Sequence, residues 1–231
     1  MNIALLLSGG TGRRMGLDMP KQYISLYGKM IITRCLERLC RHPMMDAVQI
    51  VAAEEWRDAI LAECVYLDKL RGFSAPGENR QLSILNGLRD IFEYAGKDDV
   101  VLVHDAARPL ISEDLISACL TKIADHDGVM PVLPMTDTLY YSVDGKRVEQ
   151  LLNRSRIYAG QAPEAFRLGS YLEANECLLP DGILSINGST EPAIMAGLDI
   201  VMIPGDKNNL KITARNDLDL YSELLEKESR G

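Results

Sequence analysis

Ser8, Gly9, Gly10, Gly12, Arg13 and Arg14, followed by Pro20, Lys21 and Gln22, concentrate anion-binding chemistry within fifteen residues. They follow the apolar run Ile3–Leu7, which reads as a buried strand. Glycines placed directly after a strand let the backbone approach a bulky anion and turn several N–H groups toward it. Two arginines and a lysine then add fixed positive charge. A polyphosphate is the ligand that needs all of this, so the chain is expected to handle a nucleoside triphosphate.

Commoner glycine loops fit less well. The phosphate loop GxxxxGK followed by Ser or Thr is absent. Gly10 and Gly12 match the first two glycines of the dinucleotide fingerprint, but the third position is Met15. No acidic residue ends a second strand about 20 residues on, where a ribose would need it. A Rossmann-type oxidoreductase is therefore the weakest reading. The plainest alternative is a tight strand-to-helix turn with solvated arginines.

Other polar residues stand where further strands should end. His104-Asp105-Ala106-Ala107-Arg108-Pro109 follows the apolar Val100–Val103. Thr136-Asp137-Thr138 follows Val129–Leu133, and Lys211 sits in Asn208-Asn209-Leu210-Lys211-Ile212-Thr213. In an open parallel sheet, ligands bind beyond the carboxyl ends of the strands. Four such ends are expected to meet at one crevice. Nucleotidyl transfer there is attack of a phosphate on the α-phosphorus of a triphosphate, with pyrophosphate leaving. The protein mainly positions the groups and neutralises charge. Arg14, Lys21 and Lys211 suit that catalytic role, and Asp105 is the best-placed carboxylate for Mg²⁺, which prefers oxygen ligands.

The elements that must position these residues alternate between strand and helix. Helical periodicity marks Ile31–Arg41, Glu55–Val65, Gln81–Tyr94 and Glu113–Ala124, the last capped by Ser112. Strands are expected at Ile3–Leu7, Ala47–Ala53, Val100–Val103 and Val129–Leu133. This rhythm predicts an α/β fold: a Rossmann-like, mostly parallel sheet with helices on both faces. It breaks after Pro134, where Thr138–Ser142 and Arg147–Leu152 flank Asp144-Gly145 and predict a hairpin. That hairpin is too small to be a second domain and is expected to project as an arm onto another subunit. Helices near Leu168–Cys177 and Thr190–Ala196, strands at Ile200–Ile203 and Leu210–Thr213, and a helix over Asp217–Lys227 complete the reading.

Bulk properties narrow the class. The chain has 231 residues and 47% hydrophobic residues, enough for one large α/β domain over 1–231. A net charge of -8 argues against nucleic acid as a partner. No apolar run reaches the ~18 residues of a membrane helix. The start lacks a signal-peptide pattern. Five cysteines without a metal spacing read as reduced core thiols, so the expected location is cytoplasmic.

Taken together, these pieces resemble the cytidylyltransferases that make CDP-linked sugar alcohols, the methylerythritol-phosphate and ribitol-phosphate enzymes among them. The resemblance runs in order through the glycine–arginine loop, Pro20-Lys21-Gln22 and Gly77-Glu78-Asn79-Arg80. It continues through Val103–Pro109, Asp137-Thr138, Asn153-Arg154, Gly160-Gln161-Ala162-Pro163 and Asn209–Thr213. It implies a nucleotide-diphospho-sugar transferase type of fold. It implies that Ser8, Gly9, Gly10 and Gly12, with Gly77, Glu78 and Ser83, bind CTP. Asp105, Arg108, Thr138 and Arg154 would bind a polyol phosphate near Mg²⁺. Arg154 would come from the neighbour's hairpin arm, spanning 136–160, so a homodimer is implied.

Three departures bear on the acceptor and the base. Glu78 stands where the family reads the base with Asp. The usual Gln-Thr-Pro-Gln is Gln161-Ala162-Pro163-Glu164, and the acidic Thr-Asp-Glu-Ala of the methylerythritol enzymes becomes Gly188-Ser189-Thr190-Glu191-Pro192-Ala193. With Tyr158-Ala159-Gly160-Gln161, the last two tilt the expectation toward D-ribitol 5-phosphate, giving CDP-ribitol. His104–Arg108 keeps the methylerythritol pattern, so 2-C-methyl-D-erythritol 4-phosphate, for isoprenoid synthesis, is the alternative acceptor. Transfer of another base, and a non-catalytic nucleotide-binding regulator, are the competing classes.

Overall fold

A computed structural model describes residues 1–10, 19–64 and 68–230, without the side chains of 228–230. Seven of its strands follow one another across the main sheet. From one edge inward they are β10 (Tyr158–Gly160), β7 (Gly128–Pro134), β11 (Glu164–Arg167), β6 (Val100–Asp105), β1 (Asn2–Leu7), β4 (Ala47–Val51) and β5 (Leu70–Ser74). An eighth, β12 (Ile200–Pro204), pairs with β7. The β6-β1-β4-β5 half is parallel throughout, and β11 and β10 run antiparallel to their neighbours.

Strand alternation sends successive side chains to opposite faces, so β1 feeds two cores. Ala4 and Leu6 pack with Val48, Ile50 and Leu102 against α1 (Ile31–Arg41), α2 (Glu54–Glu63) and α4 (Glu113–Lys122). Ile3 and Leu5 pack with Val101 and Val103 on the other face, against α3 (Arg80–Phe92), α5 (Leu168–Glu176) and α6 (Glu191–Met195). A third cluster, with Ile31, Leu110, Ile212, Tyr221 and Leu225, seats α7 (Arg215–Arg230) near the end of β6.

The helical segments form close to the bounds their periodicity predicts, and Ser112 Oγ accepts from Leu115 N–H to cap α4. β8 (Leu139–Tyr141) and β9 (Gln150–Leu152) form the expected hairpin. A second hairpin, β2 (Ser25–Leu26) with β3 (Lys29–Met30), turns through Tyr27 and Gly28, both at positive φ.

Two expectations fail. Leu210–Thr213 is irregular rather than a strand. Ile212 is drawn into the third core cluster, and its N–H donates to Ala107 O at 2.8 Å, so the segment lies against the turn after β6 instead of joining the sheet. Cys177 is exposed, while Cys35, Cys40, Cys64 and Cys119 are buried. It lies just past the end of α5, where the chain turns into solvent. No described helix is long and apolar enough to cross a membrane.

His104 lies on β6 with no solvent exposure, its Nε2 3.0 Å from Arg108 O. Burial, opposed by that hydrogen bond and the nearby Asp105 charge, pushes the imidazole down to about 4. The unfolded imidazole titrates near 6.5. Between these values the unfolded chain binds the extra proton, so stability is lost as pH falls from about 6.5 to about 4. The contribution is roughly 3 kcal/mol. His104→Gln should flatten that part of the stability–pH curve in denaturant titrations; an unchanged acid slope refutes the assignment.

Candidate functional site

Leu7 is the last residue of β1, and the chain leaves the sheet at Ser8, held by side chains. Ser8 Oγ donates to Val51 O at 2.7 Å, and Tyr23 Oη donates to Ser8 O at 3.0 Å. Gln22 Nε2 donates to both Ser8 O and Gly10 O, at 2.5 and 2.7 Å. Ser8 N–H is held by Val51 O at 2.9 Å, so among the described residues of the loop the backbone N–H groups left to meet an anion are those of Gly9 and Gly10. Tyr23 stacks on Trp56, with ring centroids 4.2 Å apart, which fixes the turn carrying Lys21 and Gln22.

The loop before α3 closes a second side. Asn79 Oδ1 accepts from Leu82 N–H at 2.7 Å and caps the helix. Gly77 N–H donates to Ser83 Oγ, which in turn donates to Asn79 O. Gly77 and Gly9 are both required by close approach. A Cβ on Gly77 would collide with Leu82 and come 2.9 Å from Ser83 N, and one on Gly9 would sit 2.7 Å from Pro76 Cβ. The two glycine-bearing loops thereby face each other.

Asp105 closes the floor. Its Oδ1 accepts from Arg80 Nε and Nη2, both at 3.1 Å. Its Oδ2 is 2.7 Å from Lys211 Nζ and 3.9 Å from Arg108 Nε. Burial alone would raise this carboxyl, but the Arg80 and Lys211 charges outweigh it and hold the group well below the usual carboxylate range. It is therefore an anion at any physiological pH.

These parts line one cleft of about 440 Å³, bounded by Ser8, Gly9, Gly10, Lys21, Gln22, Gly77, Glu78, Asn79, Arg80, Ser83, Asp105, Lys211 and Thr213. Most of the expected nucleotide residues and both lysines thus share one cavity. Gly12 and Arg14 lie outside the described residues. Arg108 turns away from the cleft: its Nη1 donates to Asn209 O at 2.8 Å, bracing the segment that carries Lys211. Thr138 and Arg154 are exposed on the arm, away from the cleft, and Arg154 Nη1 donates to Thr136 O at 2.6 Å. The end of β7 is the one expected strand end that does not reach the cavity of a single chain.

Sequence reasoning assigned no role to Arg80, Asn79, Gln22 or Thr213, which the fold brings to the cavity. The signal was available in part. Arg80 and Asn79 belong to the Gly77–Arg80 motif, and Gln22 directly follows Lys21. Thr213 N–H and Oγ1, with Ala214 N–H, all donate to Asp217 Oδ2, which anchors the irregular segment at the start of α7.

Comparison with known proteins agrees with this arrangement. Residues 2–227 match the family model for 2-C-methyl-D-erythritol 4-phosphate cytidylyltransferase. The ribitol-5-phosphate cytidylyltransferase of Streptococcus agalactiae serotype III is 30% identical over 97% of this chain and 95% of its own. The 2-C-methyl-D-erythritol 4-phosphate cytidylyltransferase of Rubrobacter xylanophilus is 36% identical, covering 99% of this chain and 97% of its own. The solved Francisella tularensis 2-C-methyl-D-erythritol 4-phosphate cytidylyltransferase superposes with a TM-score of 0.81 at 25% identity, covering 96% of this chain and 98% of that one. With a glycine loop, two lysines and an ion-paired aspartate in one cleft, and with matches along nearly its whole length, the chain belongs to the 2-C-methyl-D-erythritol 4-phosphate cytidylyltransferase family and is a cytidylyltransferase.

Proposed function

We propose that this protein transfers CMP from CTP to D-ribitol 5-phosphate, releasing pyrophosphate and giving CDP-ribitol. The observation that carries the site reading is the meeting of Lys21 and Lys211 in one cleft with the glycine loop and Asp105. The choice of acceptor rests on Ala162, which lacks the usual hydroxyl, and on Ser189-Thr190-Glu191-Pro192 in place of an acidic run. The identity to the ribitol-phosphate relative supports it. The methylerythritol acceptor is the second reading, favoured by the His104–Arg108 pattern and by the Rubrobacter relative.

In this reading Ser8, Gly9 and Gly10, together with Gly77, Glu78 and Ser83, hold the cytidine and its phosphates, with Gly12 completing the loop. Arg14, Lys21 and Lys211 neutralise the triphosphate. The nucleophile is a phosphate oxygen of the acceptor, already anionic, so no general base is needed. Charge moves onto the leaving pyrophosphate as the α-phosphorus is attacked, and fixed ammonium groups stabilise it without reorganisation. Lys211 starts on Asp105, so its ammonium is oriented before substrate arrives.

Mg²⁺ fits as an ion that enters with the nucleotide. Asp105 is the one buried carboxylate lining the cleft among the described residues, and Arg80 and Lys211 already engage its oxygens. One hard oxygen donor suits an ion that takes its remaining ligands from phosphates and water. When bound, the ion neutralises charge on the phosphate oxygens.

The arm, 136–160, would serve a homodimer. Tyr140, Val143, Val148 and Leu151 are exposed there at 59%, 73%, 67% and 63%. A second copy would cover this apolar surface. It would also bring Thr138 and Arg154 toward a neighbour's acceptor site, explaining why a single chain leaves both outside its own cleft, while Arg108 acts from behind by bracing Asn209. Arginine suits two-pronged capture of a phosphate.

Turnover of CTP with D-ribitol 5-phosphate and with 2-C-methyl-D-erythritol 4-phosphate, side by side with Mg²⁺, tests the acceptor; a larger kcat/KM for the second overturns our choice. Lys21→Ala and Lys211→Ala should each lower kcat by 10²–10³-fold, about 3–4 kcal/mol of barrier; near-parental rates in both would remove the lysines from the mechanism. Arg154→Ala should raise the acceptor KM at least tenfold, about 1.4 kcal/mol or more, and leave the CTP KM within twofold. An effect confined to CTP would assign Arg154 elsewhere.

A further inference from the structure

We propose that Gln22 is a positioning residue for the nucleotide: its side-chain amide clamps the Ser8–Gly10 backbone so that the Gly9 and Gly10 N–H groups face the phosphates of CTP. The inference rests on the reading above that this loop holds the nucleotide. Gln22 lines the cleft from the short helical turn Lys21–Tyr23 and is only 3% exposed.

Gln22 Nε2 bridges the two carbonyls that bracket Gly9, those of Ser8 and Gly10. An amide nitrogen carries two hydrogens, and this one spends both on the loop. The two carbonyls are not equally held. Ser8 O also accepts from Tyr23 Oη at 3.0 Å, whereas Gln22 is the one donor to Gly10 O among the described residues.

A trans peptide points its N–H opposite to its C=O. Fixing Ser8 O toward Gln22 therefore directs Gly9 N–H the other way. Glycine has little conformational preference of its own. Nothing lies within 4 Å of where a Cβ on Gly10 would stand, so packing does not confine that residue either. Without the clamp the glycine pair is anchored at Ser8 alone, and Gly10 is free to turn a carbonyl rather than an N–H toward the anion. With it, the donors are set before the nucleotide arrives, and binding has less ordering to supply. The mount is itself fixed. Tyr23 N–H donates to Pro20 O at 3.0 Å, and the Tyr23 ring stacks on Trp56. One short turn thus presents the Lys21 charge and aims the uncharged donors beside it.

The test pairs steady-state kinetics with amide NMR on the full-length protein. Kinetics use CTP, Mg²⁺ and whichever of D-ribitol 5-phosphate and 2-C-methyl-D-erythritol 4-phosphate is turned over faster. Gln22→Met removes both donors and should raise the CTP KM at least tenfold, with the acceptor KM within twofold. In ¹⁵N-glycine-labelled protein without nucleotide, the same change should broaden or split the Gly10 amide resonance most and that of Gly9 next. Gly128 on β7 and Gly169 in α5 should keep theirs. Adding CTP to the wild type should shift the Gly9 and Gly10 resonances; if it does not, the loop reading itself fails and takes this inference with it. Where those shifts are present, three results each overturn the role of Gln22 alone: a CTP KM within twofold of wild type, equal rises in both KM values, or a raised CTP KM with both glycine resonances unchanged, which would mean that Gln22 contacts CTP directly. If Gln22→Met does not fold, Gln22→Asn decides. Its amide is one methylene shorter and cannot span both carbonyls, so the CTP KM should rise at least threefold; a wild-type value overturns the proposal.

Discussion

The pairing of Asp105 with Arg80 and Lys211 is the interaction on which the site depends. It joins three pieces of chain that no backbone ladder joins: the end of β6, the first residue of α3 and the irregular segment before α7. Buried ion pairs are poor sources of net stability, because desolvation offsets their attraction. What this one supplies is placement. Its carboxylate also leaves positive charge in excess at the cleft, since Arg80 and Lys211, which both line it, lie within 4 Å of that one carboxylate. A dianionic phosphate entering the cleft meets cations whose directions are already set, so little reorganisation remains for the reaction to supply.

The loops around the cleft keep their shape through side chains more than through backbone pairing. Gln22 spans the carbonyls of Ser8 and Gly10, and Asn79 caps α3. Asn209 Nδ2 reaches Ala162 O, while Gln161 exchanges hydrogen bonds with the backbone of Asp206. Loops have no ladder to satisfy their polar groups, and buried amide side chains do that work here. The same logic explains Arg108. Its guanidinium braces the backbone at Asn209, so its effect on the cleft passes through Lys211.

The helices and the parallel half of the sheet were legible in the sequence because local patterns specify them. Apolar residues at helical spacing within Ile31–Arg41, and the short apolar runs of β1, β4 and β6, have few other solutions. The missed strands lacked such patterns. β5 carries Arg71 and Gly72 within five residues, while β10 and β11 are short and flank Pro163. They are strands because neighbouring edges offer hydrogen bonds, a condition set by the assembled sheet.

By itself the sequence determined the chemistry available: a glycine-rich turn after a buried strand, lysines at 21 and 211, and an aspartate ending the central strand. It could determine these because residue type and short spacing suffice for them. The tertiary structure decided which residues meet. It set Arg80 on Asp105, turned Arg108 toward Asn209, and left Thr138 and Arg154 on the arm. Each of those outcomes depends on contacts across tens of residues, whose direction follows from strand order and helix packing rather than from any local run of sequence.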